Sequence, residues 1–322
     1  MPFGPDTTTD EVLEGIDCTG KRAIVTGASG GLGEETARAL ASKGASVTIA
    51  ARDIPKAEAA AARIKESTGN PNIDVGEIEL SVPNSVRAFA ADWLGKNDKL
   101  DLLINNAGVM ACPLDRTKEG WEMQFGTNHF GHFLLTNLLM PAIRAAAPSR
   151  IVNLSSAAHR NSDVHFDDIH FNNRDYDKWD SYGQSKTANI LFSVELNKHL
   201  AASGITANAV HPGGIQTDLG RHLTPEDIQA LMSRIQERSG GDETPEFKFK
   251  TIPAGAATSV WAATSPDLEG NGGNYLEDCH IAQIVTTEAS PDGVELYALN
   301  EESAAELWAV TEDALGERFD LS

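Results

Sequence analysis

The chain reads Lys21-Arg22-Ala23-Ile24-Val25-Thr26-Gly27-Ala28-Ser29-Gly30-Gly31-Leu32-Gly33 near its start, an apolar run followed by a glycine-rich turn. The run predicts a buried strand, a helix from about Glu34 to Lys43 follows, and Val47-Thr48-Ile49-Ala50 predicts the next strand. In such a βαβ unit, glycines let the backbone approach a pyrophosphate, and the helix N-terminus offers it unpaired N–H groups. The glycine spacing, Thr26-Gly27-x-x-x-Gly31-x-Gly33 with an extra Gly30, differs from the strict G-x-G-x-x-G but still favours nucleotide binding over a plain turn.

Strands and helices continue to alternate along the chain. Further strands are predicted at 73–80, 100–104, 150–154 and 205–210, and further helices at 53–67, 84–94, 121–147 and from the Tyr182 region to about residue 201. This alternation predicts a single α/β domain, a doubly wound, mostly parallel, Rossmann-like sheet with helices on both faces. Ligands of such sheets bind beyond the C-terminal strand ends. Five segments fall at that edge, which is therefore the predicted site, and they contain Gly27, Ala51, Asn106, Ser156 and Pro212.

Composition excludes some classes of protein and leaves others open. The net charge of −21 over 322 residues disfavours nucleic acid and anionic membrane surfaces as partners. No apolar run is long enough for a membrane span, and residues 1–9 lack the basic and apolar regions of a secretory signal. Cys18, Cys112 and Cys279 are isolated in sequence, so we expect reduced thiols in a cytoplasmic protein.

A tyrosine and a lysine share one face of a predicted helix at Ser181-Tyr182-Gly183-Gln184-Ser185-Lys186, because they are four residues apart. A phenol has a reference pKa of about 10, and a nearby ammonium lowers it; reaching about 7 requires roughly 4 kcal/mol of differential stabilisation. Such a tyrosine could exchange a proton with an alcohol oxygen near neutral pH. The pair alone equally fits a solvated helix face, so only the other motifs of the chain can indicate whether it is catalytic.

The end of the second strand bears on the choice of nucleotide. An acidic side chain there would bind the adenosine ribose 2′-hydroxyl, whereas a basic one favours a 2′-phosphate. Here Ala51 occupies the expected acidic position and Arg52 follows it, which favours NADP. Asp53 keeps NAD as an alternative, since it could hold a ribose; it could equally cap the next helix.

The segments outside the alternating core are an N-terminal arm, a predicted substrate lid and the C-terminal elements. Residues 1–19 are predicted to form a polar N-terminal arm, and residues 20–322 the single catalytic domain. The polar stretch 217–250 is predicted to be a mobile lid over the substrate, and its apolar positions Leu219, Leu223 and Leu231 favour a hydrophobic alcohol. A helix is expected at about 251–264, a last strand at 274–276 and a C-terminal helix at 303–315. The spacing of His159, His165 and His170 fits no standard metal site, so no metal is predicted, and His129 and His132 are interpreted as packing residues.

Taken together, these segments resemble the short-chain dehydrogenase/reductase family. The matching motifs follow the family order over roughly residues 20–220: Thr26 to Gly33, Asn105-Asn106-Ala107-Gly108, Asn128, Ser155-Ser156, Tyr182-x-x-x-Lys186 and Pro212-Gly213. Within the family, the chain is most similar to the retinol dehydrogenase-like branch, through Ile49 to Asp53, Ile151 to His159, Ser185 to Phe192 and the extra segment 157–181.

The resemblance implies a role for each member of a catalytic tetrad. Ser156 would hydrogen-bond the substrate oxygen, and Tyr182 would be the acid in reduction and the base in oxidation. Lys186 would bind the nicotinamide ribose and lower the Tyr182 pKa, and Asn128 would hold a water that links Lys186 to solvent. The implied cofactor-binding residues are Gly27, Ser29, Gly31, Leu32, Gly33, Arg52, Glu79, Leu80, Asn106, Ala107, Gly108, Tyr182, Lys186, Pro212, Gly213 and Thr217.

The sequence therefore predicts an NADP-preferring oxidoreductase that interconverts an alcohol and its ketone or aldehyde by hydride transfer. Two other functions stay open. Gly27, Gly30 and Gly33 also fit an extended-type epimerase or dehydratase of nucleotide sugars, although the Asn105-Asn106-Ala107-Gly108 motif argues against it. A non-catalytic NADP-sensing regulator is the second, although such a protein usually lacks part of the tetrad. The expected partner is a small alcohol or carbonyl compound, for which the apolar lid positions favour a hydrophobic one, and a homo-oligomer is left open.

Overall fold

An eight-stranded sheet forms the centre of the computed structural model, which describes residues 3–229, 233, 249–287, 290 and 292–321. Its strands are β1 (Arg22–Thr26), β2 (Ser46–Ala51), β3 (Ile73–Glu77), β4 (Leu102–Asn105), β5 (Ser149–Leu154), β6 (Ile205–His211), β7 (Tyr275–Glu277) and β8 (His280–Ile281). Their order is β3-β2-β1-β4-β5-β6-β7-β8. All neighbouring pairs are parallel except β7 and β8. The predicted mostly parallel, doubly wound sheet is confirmed, whereas the two-residue β8 was not predicted.

The α-helices that lie wholly within the described residues connect and cover these strands. They are α1 (Thr9–Val12), α2 (Gly31–Ser42), α3 (Ile54–Thr68), α4 (Pro83–Leu94), α5 (Met123–Phe125), α6 (Gly131–Ala145), α7 (Lys178–Leu200), α8 (Ile252–Thr264) and α9 (Glu301–Leu315). Local signals set many of their ends, and α3 is an example. The Asp53 side chain accepts a hydrogen bond from the Lys56 N–H at 3.0 Å, and Gly69 ends the helix in the left-handed conformation at φ 70°.

The core lies in two layers, one on each face of the sheet. Val25 of β1 packs in the layer under α2 and α8, whereas the adjacent Ile24 packs with Phe133 of α6 in the opposite layer. Successive side chains of a strand point to opposite faces, so a continuous apolar run is what a sheet covered on both sides requires. The prediction of helices on both faces is confirmed. No helix of the described segments is both long and apolar enough to cross a membrane.

The predicted N-terminal arm lies partly inside the protein. Residues Thr9–Val12 form α1, and both Leu13 and Cys18 are 0% exposed within the first core layer. On the surface, Arg38 of α2 contacts Asp10 at 2.7 Å. The polar composition of residues 1–20 concealed this packing, because only a few apolar side chains in the segment reach the core.

The single helix predicted over 121–147 is interrupted. The segment Gly126–Phe130, between α5 and α6, is a π-helix, and it contains Asn128. Most of the predicted lid lies outside the described residues, since 230–232 and 234–248 are not described, and Leu231 is among them. Its first part is described: residues Asp218–His222 form a short 3₁₀ helix in which Leu219 is half-buried.

Candidate active site

The turn between β1 and α2 fits a diphosphate. A Cβ atom added to Gly27, which has φ 67°, would lie 2.9 Å from the Ala107 Cα, and one added to Gly33 would lie 2.6 Å from the Gly27 carbonyl oxygen. Glycine is therefore required at both positions for strand and helix to approach each other. Gly30 precedes α2 without any side-chain hydrogen bond, so the first-turn N–H groups of the helix have no side-chain cap. Uncapped groups of this kind are suited to bind phosphate oxygens.

Two asparagines join the strands behind this turn. The Asn105 amide nitrogen donates to the Asn153 side-chain oxygen of β5 at 2.8 Å, and the Asn106 amide nitrogen donates to the Thr26 carbonyl of β1 at 2.7 Å. The Thr26 hydroxyl in turn accepts the backbone N–H groups of Asn106 and Ala107, both at 2.9 Å. The hypothesis that these asparagines tie neighbouring strands together is confirmed, and Gly108 follows directly.

Asn128 lies between this loop and the lysine. Its side chain accepts the Val109 N–H at 2.9 Å and donates to the Val109 carbonyl at 3.0 Å and to the Ser185 hydroxyl at 2.9 Å. A Cβ atom added to Gly108 would lie 3.2 Å from the Asn128 side-chain oxygen and 3.7 Å from the Lys186 ammonium nitrogen. The π-helix therefore places Asn128 next to the lysine, with Gly108 leaving space between them.

The two serines after β5 have different partners. The Ser155 hydroxyl donates to the Lys186 carbonyl at 2.8 Å, which anchors α7 to the end of β5. The Ser156 hydroxyl accepts the Ala158 N–H at 3.1 Å and also forms a hydrogen bond that lowers the pKa of Tyr182. Ser156, rather than Ser155, is therefore the serine beside Tyr182, and its role at the reacting oxygen stays a prediction.

Tyr182 and Lys186 are both buried, at 3% and 4% exposure, on the first turns of α7. The ammonium nitrogen lies 5.5 Å from the centre of the tyrosine ring and donates to the Leu154 carbonyl at 2.9 Å. Burial raises the pKa of Tyr182 above 10 and lowers the pKa of Lys186 from 10.5 to about 7. The expected lowering of the Tyr182 pKa by Lys186 is therefore not found among the protein groups. Burial disfavours the charged forms of both the tyrosine and the lysine, so it moves the two pKa values in opposite directions.

The residues predicted to contact the adenosine half lie near one another. One Arg52 guanidinium nitrogen is 3.5 Å from a carboxylate oxygen of Glu79, and Asp53 caps α3. Leu80, the other member of the predicted adenine pair, is 5% exposed and packs in the second core layer. Lys56 was not predicted to belong to the site, yet its ammonium nitrogen would lie 3.9 Å from a Cβ atom built on Gly30. The sequence feature that could have indicated it is a second cation four residues after Arg52.

The segment after β6 closes the other side of the glycine turn. Gly213 has φ 94°, and His211 accepts the N–H groups of Ala157 at 3.2 Å and Gly213 at 3.4 Å. Pro212 and Gly213 are thereby held beside the serine segment. The Thr217 Cγ2 would lie 3.5 Å from a Cβ atom built on Gly31. Within the turn, Ser29 is half-buried, and the Leu32 side chain packs against Gly255 of α8.

The histidines near the site have structural partners. Among the described residues, no group of three or more His, Cys, Asp or Glu side chains could hold a metal ion. His159 binds the Ser156 carbonyl at 2.8 Å and accepts the Glu295 N–H at 3.1 Å. His129 is buried and forms a 3.0 Å hydrogen bond with Thr311, as its interpretation as a packing residue requires.

Comparison with known proteins identifies the family. The model of the short chain dehydrogenase family matches residues 21–228. This chain belongs to the short-chain dehydrogenase/reductase family. The range covers the glycine turn, the asparagine motif and all four tetrad positions, so the resemblance read from the motifs is confirmed.

Two curated relatives show how far the similarity extends. A Streptomyces antibioticus protein named "Probable oxidoreductase" is 45% identical over 303 residues, which is 93% of this chain and 99% of that protein. Human retinol dehydrogenase 11 is 41% identical over 301 residues, or 94% of this chain and 87% of that protein. The predicted similarity to the retinol dehydrogenase-like branch is confirmed, and this short-chain dehydrogenase is an NAD(P)-dependent oxidoreductase by family.

Solved structures share the same architecture. A crystal structure of a protein from Mycobacterium paratuberculosis is 33% identical with a TM-score of 0.71, covering 95% of this chain and 97% of that one. The Pseudomonas aeruginosa RhlG/NADP active-site complex is 26% identical with a TM-score of 0.61, covering 81% of this chain and 96% of that one. These similarities support one Rossmann-like domain for the short-chain dehydrogenase described here.

One more histidine of this short-chain dehydrogenase, His132, has a role that the sequence did not predict. His132 was predicted to be a packing residue, and it is indeed 1% exposed, but its ring joins two parts of the site. Nδ1 lies 3.0 Å from the Asn128 carbonyl and Nε2 lies 2.9 Å from the Thr26 hydroxyl. Burial lowers the pKa of His132 to about 4, so the ring is neutral at physiological pH. Only its spacing of four residues from Asn128 on a helix could have suggested this contact.

Replacing Lys186 by Met tests the burial of the ammonium. The folded pKa of about 7 lies well below the unfolded value of about 10.4. Between these two pH values the unfolded chain binds one more proton at Lys186 than the folded protein does. The unfolding free energy of the wild type therefore rises with pH in this range. Urea denaturation should show that the unfolding free energy of the wild type, relative to that of Lys186→Met, rises by up to about 1.4 kcal/mol per pH unit between about pH 7 and 10.

The design of this variant isolates the charge. The Leu154 carbonyl also accepts from Asn189 at 2.9 Å, so the methionine leaves no carbonyl without a partner. The control is Lys96→Met, because Lys96 is 67% exposed and pairs with Asp92 on the surface. If the difference in unfolding free energy between wild type and Lys186→Met is independent of pH, burial does not lower the pKa of Lys186.

Proposed function

We propose that this protein is an NADP-preferring oxidoreductase that interconverts an alcohol with its ketone or aldehyde, with Tyr182 as general acid and base. The observation that carries the proposal is the convergence of Ser156, Tyr182 and Lys186 with Asn128 at the sheet edge that also holds the glycine turn. Each group has a role in proton transfer, and the turn suits a dinucleotide. The relatives named as oxidoreductases favour this function over a nucleotide-sugar epimerase or a non-catalytic regulator.

The protein groups support a division of roles in carbonyl reduction. When bound, NADP(H) supplies or accepts the hydride at the reacting carbon. Because burial raises the pKa of Tyr182, its phenol carries its proton at neutral pH and can donate it to the carbonyl oxygen. Ser156 orients that oxygen by a hydrogen bond. In its charged form, Lys186 stabilises the phenolate left by proton transfer, and Asn128 keeps the loop at Val109 in place beside the lysine.

Three observations support NADP over NAD. Ala51 provides no carboxylate for a ribose hydroxyl, and Asp53 is committed to capping α3. Arg52 directly follows β2, and the Lys56 ammonium nitrogen, which pairs with Asp218 at 2.7 Å, would lie 3.9 Å from a Cβ atom built on Gly30, so the two cations are offered to a 2′-phosphate. A structural relative was also solved as an NADP complex.

The proposed substrate is a hydrophobic alcohol or its carbonyl form. Leu114, which follows the loop after Gly108, is 47% exposed, and Leu219 and Leu223 of the segment after β6 are half-buried. Several curated relatives carry the name retinol dehydrogenase, among them a human protein that is 38% identical over 311 residues. Apolar side chains around the site would favour a substrate with an apolar chain.

Tyr182→Phe tests the general acid. Loss of the hydroxyl removes the proton donor while it keeps the buried ring, so turnover should fall by roughly 100- to 10,000-fold. NADPH oxidation at saturating substrate measures the loss. NADPH binding, followed by fluorescence titration, should change little and serves as the folding control. A variant that retains most of its turnover would refute the role of Tyr182.

Arg52→Glu tests the choice of cofactor. The new carboxylate would repel a 2′-phosphate and could accept a ribose hydroxyl, so the ratio of kcat/KM for NADP to that for NAD should fall by about tenfold or more. Arg22→Glu is the matched control, because Arg22 is also exposed and ion-paired, with Asp98 at 2.8 Å, but lies at the start of β1. Unchanged selectivity in Arg52→Glu would contradict a phosphate-binding role.

A series of unbranched aldehydes tests the substrate class. If the chain is buried on binding, each added methylene contributes about 0.8 kcal/mol, so kcat/KM should rise about three- to fourfold per methylene until the pocket is full. NADPH oxidation at subsaturating aldehyde gives these values directly. A kcat/KM that stays flat or falls along the series would contradict a hydrophobic substrate.

A further inference from the structure

A fully buried glutamine joins three segments around the site. Gln124 of α5 is 0% exposed, and its side-chain oxygen accepts the Ala111 N–H at 2.8 Å. Its amide nitrogen donates to the Tyr176 hydroxyl and to the Lys178 carbonyl, both at 2.9 Å. The oxygen and both N–H groups are thus engaged, and a flipped amide would set N–H against the N–H of Ala111. The orientation of this side chain is therefore determined by its partners.

The first partner is a strained loop. Ala111 has φ 50°, in the left-handed region that L-residues other than glycine rarely adopt, and it lies three residues after Gly108. The neighbouring Cys112 carbonyl accepts the Tyr176 hydroxyl at 3.0 Å. Two hydrogen bonds from one polar cluster thus hold the backbone on both sides of the strained bond. Backbone strain of this kind persists only where the surroundings determine it.

The other partner is the start of the helix that carries Tyr182. In an α-helix, the carbonyl of Lys178 pairs with the N–H of Tyr182, so Gln124 bonds to α7 one turn before the proposed acid. Glu122 supports the glutamine, because its carboxylate accepts the backbone N–H of Gln124 at 3.0 Å. The same carboxylate oxygen lies 3.2 Å from the Tyr176 hydroxyl and shares that hydroxyl's single proton with the Cys112 carbonyl. Gln124 therefore fixes the distance between the loop and the helix.

The loop from Val109 to Cys112 begins beside the proposed proton-transfer groups. Val109 is bound through its N–H and its carbonyl to Asn128. At the other end, Cys112 is close enough to Arg221, in the segment after Thr217, for the guanidinium to lower the pKa of the thiol, although burial raises it by more. The loop thus spans from the lysine environment to the segment that faces the glycine turn.

We infer that Gln124 is a positioning residue for the substrate: it holds the loop at Ala111 in its left-handed conformation at a set distance from Tyr182. The kinetic part of this inference rests on the proposed function. Gln124 touches neither the reacting atoms nor the cofactor, and it acts through the backbone of Ala111 and Lys178. Its loss should therefore weaken substrate binding more than it changes proton transfer or cofactor binding.

A double-mutant cycle with Gln124→Met and Ala111→Gly tests this role. Methionine keeps the volume but removes every hydrogen bond of the side chain, so kcat/KM should fall about tenfold, mainly through KM, as expected when buried groups lose a partner. The NADPH dissociation constant should stay within about twofold, since the cofactor-binding residues keep their contacts. Glycine adopts positive φ without strain, so adding Ala111→Gly to Gln124→Met should restore most of the lost kcat/KM.

Hydrogen exchange of the loop gives a readout that needs no turnover. The amides of Ala111 and Cys112 should exchange faster in Gln124→Met than in wild type, and more slowly again in the double variant. If Gln124→Met does not fold, Tyr176→Phe takes its place in the double-mutant cycle, because it removes the hydroxyl that accepts from Gln124 and contacts the Cys112 carbonyl.

Two results would overturn the inference. One is that Gln124→Met lowers kcat/KM and NADPH affinity equally. The other is that the effects of Gln124→Met and Ala111→Gly on kcat/KM simply add in the double variant. A purely structural residue would give either result. If the wild type oxidises no alcohol and reduces no carbonyl compound, the proposed function fails, while the exchange measurements still decide whether Gln124 holds the loop.

Discussion

The buried ammonium of Lys186 is the constraint on which the arrangement of the site depends. Burial lowers its pKa to about 7, so holding the charge at that depth is unfavourable unless polar groups surround it. The Leu154 carbonyl, at the end of β5, is its direct partner. Because β5 ends there, this carbonyl is available to a side chain of α7, and the same carbonyl accepts Asn189 from the next turn. The sheet edge thus determines where the lysine can lie.

The neighbouring groups follow from that placement. A Cβ atom on Gly108 would lie 3.2 Å from the Asn128 amide oxygen, so a larger residue there would require the Asn128 side chain to shift by a few tenths of an ångström. Asn128 in turn has every polar atom of its side chain bound, by Val109 and Ser185. Buried polar groups with satisfied hydrogen bonds make a site rigid, because any movement would leave a donor or acceptor without a partner. We therefore expect the burial of the proposed proton-transfer groups to hold them in place.

The sequence predicted the features that one local stretch encodes. The Gly27 to Gly33 turn, the alternation of strands and helices and the Tyr182–Lys186 spacing are of this kind, and the fold and family they predicted are confirmed. Features that depend on distant contacts could not be predicted. The π-helix at Asn128, the burial of Leu13 and the role of Gln124 arise from packing between separate segments. The Tyr182 pKa was expected to fall because sequence spacing reveals the neighbouring charge but not the depth of burial.

His132 shows how the cofactor turn and the proton-transfer groups are joined. A carbonyl oxygen can only accept, so Nδ1 of the neutral ring donates to Asn128 and Nε2 accepts from the Thr26 hydroxyl. With its proton directed to the histidine, that hydroxyl is left to accept the N–H groups of Asn106 and Ala107. A protonated ring would have no lone pair for Thr26 and would bring a second charge toward Lys186. The neutral ring of His132 therefore joins β1, the asparagine loop and the helix of Asn128 in one hydrogen-bonded unit.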